Sequence, residues 1–254
     1  MISLFTKSSL ALLESLSFTK TLYAFDFDGT LAKLVSNPEE ANISPTTAKL
    51  LMKLSELAPV AVISGRSLQD LKQRIHFKPQ FLIGNHGLEG TKEDSSGLEA
   101  AEKICSKWLN TLENYPFENG IKIENKKYSL SIHYRLSRKK TAAKKQILSA
   151  VENLHPTPRI VAGKAVFNLV TAKAPNKGAA ILDLIDQTGF KHIFYIGDDD
   201  TDEDIFELPY RGGQLMSVRV GQKKVSYAKY YIRRQTEINR LLNYLISYHQ
   251  KQKS

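Results

Sequence analysis

The stretch that most constrains the fold is residues 21–30, an apolar run that ends in two carboxylates, a glycine and a hydroxyl. An apolar run this short, closed by glycine, predicts a buried strand of a parallel sheet. Asp26 and Asp28 are two residues apart, so on a strand they point to the same side at its carboxyl end. Open α/β sheets bind ligands at that end. Carboxylates placed there need a cation or hydrogen-bond donors, because burying them unpaired costs too much free energy.

Further predicted strands also end in polar or glycine-rich turns. Apolar runs at residues 59–63, 80–84 and 192–196 are followed by Ser64-Gly65-Arg66, Asn85-His86-Gly87 and Gly197-Asp198. Amphipathic helices are predicted between them, and the helix at residues 45–56 has Ser44 as its N-cap and Pro45 at its first position. Strands that alternate with helices predict a Rossmann-like α/β core, with a parallel sheet and helices on both faces.

The alternation of single strands and helices is replaced by a different order after Gly90. The sequence then predicts a helix, a hairpin, a basic helix and a second hairpin, at residues 98–112, 120–134, 137–154 and 159–170. This order is typical of an α+β layer with an antiparallel sheet, which differs from the architecture of the flanks. We therefore expect a core domain of residues 1–90 and 173–254, with an inserted α+β cap domain of residues 91–172.

A cluster of acids follows the predicted strand at residues 192–196. Six of the seven residues 198–204 are Asp or Glu, and they repel one another strongly unless cations lie among them. A calcium-binding loop does not fit, because its sixth position would be Glu203, where glycine is needed, and its twelfth would be Pro209, where Glu is needed. The cluster therefore indicates a cation, but not a calcium loop of this type.

The formal net charge is +10, and it is concentrated in two stretches. Residues 125–151 contain eight Lys or Arg and no acid, and residues 219–254 contain nine against one Glu. Such surfaces attract anions, of which nucleic acid is one class. No zinc-finger, helix-turn-helix or RNA-binding pattern accompanies the charge, so nucleic acid is not an expected partner. Attraction of an anionic substrate is the favoured interpretation.

Composition also bears on the compartment. The chain has 254 residues, of which 42% are hydrophobic, so it can bury a core. The single cysteine, Cys105, excludes an intrachain disulfide. No apolar run reaches the ~20 residues of a membrane span, and no small-residue cleavage site follows the apolar patch at residues 1–20. We expect a soluble protein of a reducing cytoplasm, with no membrane partner.

The motifs resemble, in their order, those of the haloacid dehalogenase superfamily. They are Asp26-x-Asp28-Gly29-Thr30, Ser64, Lys177 at a predicted helix start, and Gly197-Asp198-Asp199. Each motif alone is a weak or moderate signal, but four in order at strand ends are very specific. The resemblance implies the superfamily's core fold, with a C2-type cap.

More narrowly, the chain resembles the trehalose-6-phosphate phosphatase family. The matching stretches are Asp28-Gly-Thr-Leu-Ala32 with Pro38-x-x-Ala41, Ile63-Ser-Gly-Arg66, Gly84-Asn-His-Gly87, Glu124-Asn-Lys126 with Ser129-Leu130, His133-Tyr-Arg135, Asn176-Lys-Gly178, and Gly197-Asp-Asp-x-Thr-Asp-Glu-Asp204. They span nearly the whole chain.

The resemblance implies catalytic roles for the core residues. Asp26 is the nucleophile that forms an aspartyl phosphate, and Asp28 is first the general acid and then the base that activates water. Mg²⁺ is implied as the cofactor, bound by the carboxylates of Asp26 and Asp198 and by the backbone carbonyl of Asp28. Ser64 and Lys177 hold the phosphoryl group.

The resemblance also implies residues around this centre. Asp199 and Asp202 orient the metal ligands. Substrate-binding residues are expected in both predicted domains: Gly29, Thr30, Gly65, Arg66, Asn85 and His86 in the core, and Glu124, Lys126 and Asn168 in the cap. Asn168 departs from the family, which has Glu at this place in a Phe-Glu-x-Arg-Pro context. The departure bears on the identity of the sugar and leaves the phosphatase chemistry untouched.

The implied function is a Mg²⁺-dependent phosphatase that hydrolyses trehalose 6-phosphate to trehalose and phosphate in trehalose biosynthesis. A trehalose-6-phosphate synthase is the implied functional partner. The alternatives are a phosphatase for another sugar phosphate, a phosphomutase, and a regulatory, anion-binding or nucleic-acid-binding protein on the same fold. Loss of an essential acid would be the sign of a non-enzyme, and Asp26, Asp28, Lys177 and Asp198 are all present.

Overall fold

The protein is described by a computed structural model that covers residues 1–35, 37–90, 95–209 and 214–252. The chain divides into two compact units, Met1–Thr91 with Lys177–Ser254, and Lys92–Asn176. We call the first the core unit and the second the inserted unit. No helix in the described part of the chain is long and apolar enough to cross a membrane.

The bounds of the regular elements are as follows. The strands are β1 Ile2–Ser3, β2 Thr21–Phe25, β3 Val60–Ile63, β4 Phe81–Ile83, β5 Lys122–Asn125, β6 Leu130–His133, β7 Arg159–Gly163, β8 Val166–Val170, β9 His192–Gly197, β10 Gln214–Val220 and β11 Tyr230–Ile232. The helices are α1 Lys7–Ser15, α2 Pro45–Ser55, α3 Leu68–Arg74, α4 Ser95–Glu113, α5 Lys140–Glu152, α6 Lys177–Thr188, α7 Glu203–Phe206 and α8 Ile238–Lys251. Sequence reasoning missed β1 and α1.

The core unit is built on a parallel sheet. Among the described residues its seven strands run in the order β1-β11-β10-β9-β2-β3-β4, and each neighbouring pair is parallel. Strand β2, which leads to Asp26, lies between β9 and β3. The carboxyl ends of these three central strands therefore meet at one edge of the sheet, where the predicted site residues follow them.

Helices cover both faces of this sheet. Tyr23 and Phe25 pack in a cluster with residues of α1, α2 and α8, such as Leu51 and Leu245. Leu22 and Ala24 point the other way, as alternation along a strand requires, and pack with Ile181 and other residues of α6. The predicted α/β core with helices on both faces is confirmed.

The inserted unit has a different architecture. Its strands form an antiparallel sheet in the order β5-β6-β8-β7. Leu130 and Leu169 pack on one face against Trp108 of α4 and Ile147 of α5. The predicted α+β layer is confirmed. The register places Glu124 opposite Ser131, Ser131 opposite Asn168 and Asn168 opposite Val161, so these residues form one row on the other face.

Candidate active site

Asp26 and Lys177 lie 151 residues apart in the chain but form a buried ion pair. Asp26 follows β2 and shares the alternation of Leu22 and Ala24, which pack toward α6. Lys177 is the first residue of α6, and its Nζ donates to Asp26 Oδ1 at 2.7 Å. A cation is disfavoured in the first turn of a helix by the helix dipole, so acids must hold this lysine in place.

A second acid completes the environment of Lys177. Lys177 Nζ also donates to Asp202 Oδ1 at 2.7 Å, and Asp202 is fully buried. The same oxygen accepts from Tyr195 Oη at 2.7 Å, while Oδ2 accepts from the backbone N–H of Asp199 at 2.9 Å. Protein donors therefore use both oxygens of Asp202. These contacts fit the predicted role of Asp202 as an orienting residue, which stays a prediction.

Asp198 brings a third carboxylate to this edge of the sheet. Oxygens of Asp26, Asp198 and Asp202 lie within 4.8 Å of one another, and all three residues are buried. A Cβ on Gly29 would lie 2.1 Å from Asp198 Oδ2, and the φ of Gly29 is +82°. Only glycine allows the loop after Asp26 to adopt this backbone and approach the acid this closely.

The charges at this site favour a bound cation. Burial raises the pKa of Asp26 well above its usual range, Lys177 lowers it, and the Asp202 and Asp198 carboxylates raise it. Burial lowers the pKa of Lys177, but Asp202 and Asp26 raise it by more. With all three acids ionised, three carboxylates and one ammonium carry two net negative charges, which one divalent cation would neutralise. The acid cluster can therefore hold a metal ion, and its oxygen donors suit a hard cation.

Asp28 lies in a different network from Asp26. Strand β2 ends at Phe25, so the two-residue alternation that predicted both carboxylates on one side stops before Asp28. The Asp28 carboxylate instead accepts from Arg66, from Nε at 2.7 Å and from Nη2 at 2.8 Å. This is a bidentate pair of the kind that fixes carboxylate orientation. Sequence reasoning predicted Arg66 as a substrate contact and missed its bond to Asp28.

The loops that carry Ser64 and His86 are interlocked. Ser64 is buried, and its Oγ accepts from the Arg66 backbone N–H at 3.2 Å. The backbone N–H groups of Asn85 and His86 donate to the carbonyls of Arg66 at 2.7 Å and Ser64 at 3.0 Å. A Cβ on Gly65 would lie 2.4 Å from the His86 ring. The structure therefore brings these predicted site residues together at the ends of β3 and β4.

Two further buried residues lie near this edge of the sheet. Thr30 is fully buried, and among the described residues its Oγ1 has no hydrogen-bond partner. Arg219, which sequence reasoning missed, donates to the carbonyls of Asp198 at 2.8 Å and Asp199 at 3.1 Å, and to Glu203 Oε1 at 2.7 Å. The available signal was an arginine within the mostly apolar stretch of residues 215–220. Arg219 thereby fixes the loop of acidic residues that begins at Asp198, through the backbone carbonyls of that loop.

The predicted sugar-binding residues of the inserted unit make contacts within that unit. His133 Nε2 and Glu124 Oε2 are 2.8 Å apart, and Lys126 Nζ lies 3.9 Å from the same oxygen. Asn168 is buried, its Oδ1 accepts from Ser131 Oγ at 2.5 Å, and its Nδ2 donates to the Val161 carbonyl at 3.3 Å. Their role in binding substrate stays a prediction.

Comparison with known proteins identifies the family. The profile described as trehalose-phosphatase matches residues 24–235, which is most of the chain. The chain belongs to the trehalose-phosphatase family. The resemblance seen in the motifs is confirmed, and with it the superfamily to which this family belongs.

Relatives of this trehalose-phosphatase family member are found in plants and bacteria. The chain is 28% identical over 251 residues to a probable trehalose-phosphate phosphatase of Oryza sativa subsp. japonica, covering 92% of this chain and 68% of the relative. It is 30% identical over 224 residues to a trehalose-phosphate phosphatase of Mycobacterium tuberculosis, covering 83% of this chain and 57% of the relative. The chain thus spans about three-fifths to two-thirds of the length of these relatives.

Solved structures share the fold of this family member. The C-terminal domain of the Candida albicans trehalose-6-phosphate phosphatase superposes with a TM-score of 0.72 at 24% identity, covering 94% of this chain and 97% of that one. The C-terminal domain of the Candida albicans trehalose synthase regulatory protein superposes with a TM-score of 0.69 at 17% identity, covering 97% and 99%. The fold alone therefore does not separate an enzyme from a regulatory protein.

Proposed function

We propose that this protein is a Mg²⁺-dependent phosphatase that hydrolyses trehalose 6-phosphate to trehalose and phosphate. The observation that carries the proposal is the buried set of Asp26, Lys177 and Asp202 beside Asp198. A protein that only binds or regulates has no need to keep a lysine buried between two carboxylates next to a third. Membership of the trehalose-phosphatase family supports the choice of substrate.

In this mechanism Asp26 is the nucleophile. One of its carboxylate oxygens bonds to phosphorus while the bond between phosphorus and the sugar oxygen breaks, which leaves an aspartyl phosphate. Lys177 holds Asp26 Oδ1 at 2.7 Å and brings a positive charge to the phosphoryl oxygens. Asp202 fixes Lys177 from the other side, and Ser64 contributes a hydrogen bond to the phosphoryl group.

Mg²⁺ would be held by Asp26 and Asp198, with the backbone carbonyl of Asp28. When bound, it supplies positive charge against the phosphoryl oxygens and the acid cluster. Asp198 is suited to this role because Arg219 binds its backbone carbonyl, which fixes the loop without neutralising the side chain directly.

Asp28 is the proton carrier of the reaction. It donates a proton to the departing sugar oxygen and then, as a carboxylate, takes a proton from the water that attacks the aspartyl phosphate. Its position outside the Lys177 network is consistent with this division of labour.

Sugar recognition is proposed for Glu124 and Lys126 of the inserted unit. Glu124 is half-exposed, and its carboxylate is near two donors, His133 and Lys126. A half-exposed carboxylate can accept hydrogen bonds from sugar hydroxyls. Asn168 has its carbonyl and amide groups engaged with Ser131 and Val161, so we propose for it a supporting role in the same row of the sheet.

A phosphatase for another sugar phosphate is the second candidate. It is favoured by Asn168, whose amide stands where the family has a carboxylate. The identity of the sugar therefore depends on measurement, whereas the phosphoryl chemistry follows from the core unit. The functional partnership with a synthase and the cytoplasmic location stay predictions from the sequence.

The test is phosphate release by the purified protein from trehalose 6-phosphate, glucose 6-phosphate and mannose 6-phosphate, with Mg²⁺ and with excess chelator. We expect trehalose 6-phosphate to give the highest kcat/KM and chelation to remove activity until Mg²⁺ is restored. Asp28→Asn should lower kcat/KM about 10²- to 10⁴-fold, the usual contribution of general acid-base catalysis. Full activity in excess chelator would contradict the metal assignment, and no phosphate release from any ester would contradict the phosphatase.

A further inference from the structure

We propose that Asp70 is a positioning residue for Asp28, acting through the guanidinium of Arg66. The proposal rests on the function proposed above, because it concerns the orientation of the proton carrier. Asp70 lies in the first turn of α3, outside the motifs that the sequence analysis singled out. Its connection to Asp28 follows from the side-chain contacts of the core unit.

Asp28 depends on Arg66 for its orientation. Its side chain is 37% exposed, so solvent leaves it free to rotate. Among the described residues, Arg66 supplies every hydrogen bond to its carboxylate, one to each oxygen. A planar fork that binds both oxygens fixes the plane of the carboxylate as well as its position. The orientation of Asp28 is therefore as well defined as that of Arg66.

Arg66 is in turn held by acceptors on its other edges. Its Nη1 donates to Asp70 Oδ2 at 2.7 Å and its Nη2 also donates to the Pro38 carbonyl at 2.8 Å. The guanidinium lies over the Phe27 ring, 5.3 Å from its centroid. Asp70 is the one charged acceptor in this set besides Asp28 itself.

Asp70 is fixed from the opposite side by Arg74. Arg74 Nε donates to Asp70 Oδ1 at 2.7 Å, and Arg74 Nη1 donates to the carbonyls of Glu39 at 2.5 Å and Ala41 at 3.1 Å. The result is a chain of alternating charges, Asp28, Arg66, Asp70 and Arg74, that ends on the backbone. Removing Asp70 from this chain leaves two guanidinium groups facing each other without the acceptor that they share.

The competing interpretation is that Asp70 only ties α3 to residues 38–41. A structural tie affects every substrate alike, whereas a positioning residue affects only the step that needs the Asp28 proton. Trehalose 6-phosphate loses a sugar alkoxide, which must be protonated as it leaves. The comparison substrate is p-nitrophenyl phosphate, which loses p-nitrophenolate, a stable anion that leaves without a proton. Since kcat/KM reports steps up to the formation of the aspartyl phosphate, it isolates this difference from the later attack of water.

The experiment compares kcat/KM for trehalose 6-phosphate and p-nitrophenyl phosphate in Asp70→Asn. We expect about a tenfold loss for trehalose 6-phosphate, a part of the roughly 10²- to 10⁴-fold supplied by general acid catalysis. The loss for p-nitrophenyl phosphate should be less than about twofold. Glu56→Gln, which removes the same charge from an exposed site on the core unit, should change neither value.

Arg74→Lys is the second control. It keeps a cation beside Asp70 but loses the Nη1 group that donates to the carbonyls of Glu39 and Ala41, so it loosens the tie between α3 and residues 39–41 and leaves the contact between Asp70 and Arg66 in place. We expect it to leave the ratio of the two kcat/KM values unchanged. Parallel losses on both substrates in Asp70→Asn would overturn the proposal. If Asp70→Asn fails to fold, Asp70→Glu, which keeps the charge and moves the acceptor, must show the same selective loss.

A wild-type protein that hydrolyses neither ester would contradict the proposed function itself. A wild-type protein that hydrolyses both, with an Asp70→Asn variant that loses both equally, would contradict only this inference. The two failures are therefore distinguishable in one set of assays.

Discussion

The polar clusters of the two units differ in how their charges are satisfied. In the core unit, Lys177 is buried between Asp26 and Asp202, and each contact is 2.7 Å long. In the inserted unit, the Glu124 side chain is 41% exposed and pairs with His133, while Asn168 makes neutral hydrogen bonds. Buried charges can persist only with fixed partners, whereas exposed or neutral groups can change partners at little cost. Under the proposed function, the groups that carry the reaction are thus held by fixed partners, whereas those proposed to bind the sugar can change partners.

The largest effect on activity is expected from Asp26→Asn, in the cluster that Asp26 forms with Lys177 and Asp202. It removes the nucleophile but keeps the side-chain volume, and Lys177 retains Asp202 as a partner. We expect phosphate release to fall below detection while the thermal midpoint stays within a few degrees of wild type. Turnover near the wild-type rate in this variant would rule out the covalent intermediate.

Lys177→Met tests the same cluster through stability. It leaves the buried carboxylates without their cation, which should lower the free energy of unfolding by about 3–5 kcal/mol. The matched control is Lys223→Met, which breaks the exposed pair with Asp200 and should cost at most about 1 kcal/mol. Urea unfolding in chelator measures both. Equal losses in the two variants would show that burial does not distinguish these pairs.

Glu124→Ala tests the polar cluster of the inserted unit, in which Glu124 lies beside His133 and Lys126. It removes a charged acceptor, and hydrogen bonds to charged groups contribute ~1.5–3 kcal/mol, so kcat/KM for trehalose 6-phosphate should fall about tenfold or more. Hydrolysis of p-nitrophenyl phosphate should be unchanged. Asn168→Ala serves as the comparison, because it should chiefly cost stability, about 1–3 kcal/mol, by leaving the Ser131 hydroxyl without its acceptor. A parallel loss on both esters in Glu124→Ala would remove Glu124 from sugar recognition.

The smallest expected effect concerns Cys105 in the inserted unit. It is fully buried, and burial raises the pKa of its thiol to about 12. The thiolate is the reactive form, so the native protein should react with a thiol-specific reagent at pH 8 far more slowly than the urea-unfolded protein. Equally fast labelling of the native protein would show that Cys105, on α4, becomes exposed to solvent without global unfolding.

The sequence was sufficient for features that repeat along the chain or lie at strand ends. Strand β2 was recognisable because both of its faces are apolar, and the acids at its end stood out against that run. The pairing of Asp26 with Lys177 could be anticipated from the order of the family motifs. Spacing alone carries no information about two residues on different elements 151 positions apart.

The missed features depend on contacts between side chains of different elements. Tyr195 reads as one more apolar residue of β9, yet its hydroxyl binds Asp202. Arg66 lies in a motif that implies substrate contact, but among the described residues its guanidinium donates to Asp28, Asp70 and the Pro38 carbonyl. Two-residue β1 is too short to show any alternation. Such partners are set by tertiary packing, which a one-dimensional pattern does not contain.

The tight approach of Gly29 to Asp198 limits how this protein can change during evolution. A side chain at position 29 would be strained by its backbone conformation and would also collide with the Asp198 carboxylate, so a shift of Asp198 alone would not make it tolerable. The loop after Asp26 and the loop at Asp198, which are far apart in the chain, therefore restrict each other's substitutions. Under the proposed function, substitutions in the inserted unit, such as an amide-for-carboxylate exchange at Asn168, leave the proposed reacting groups untouched.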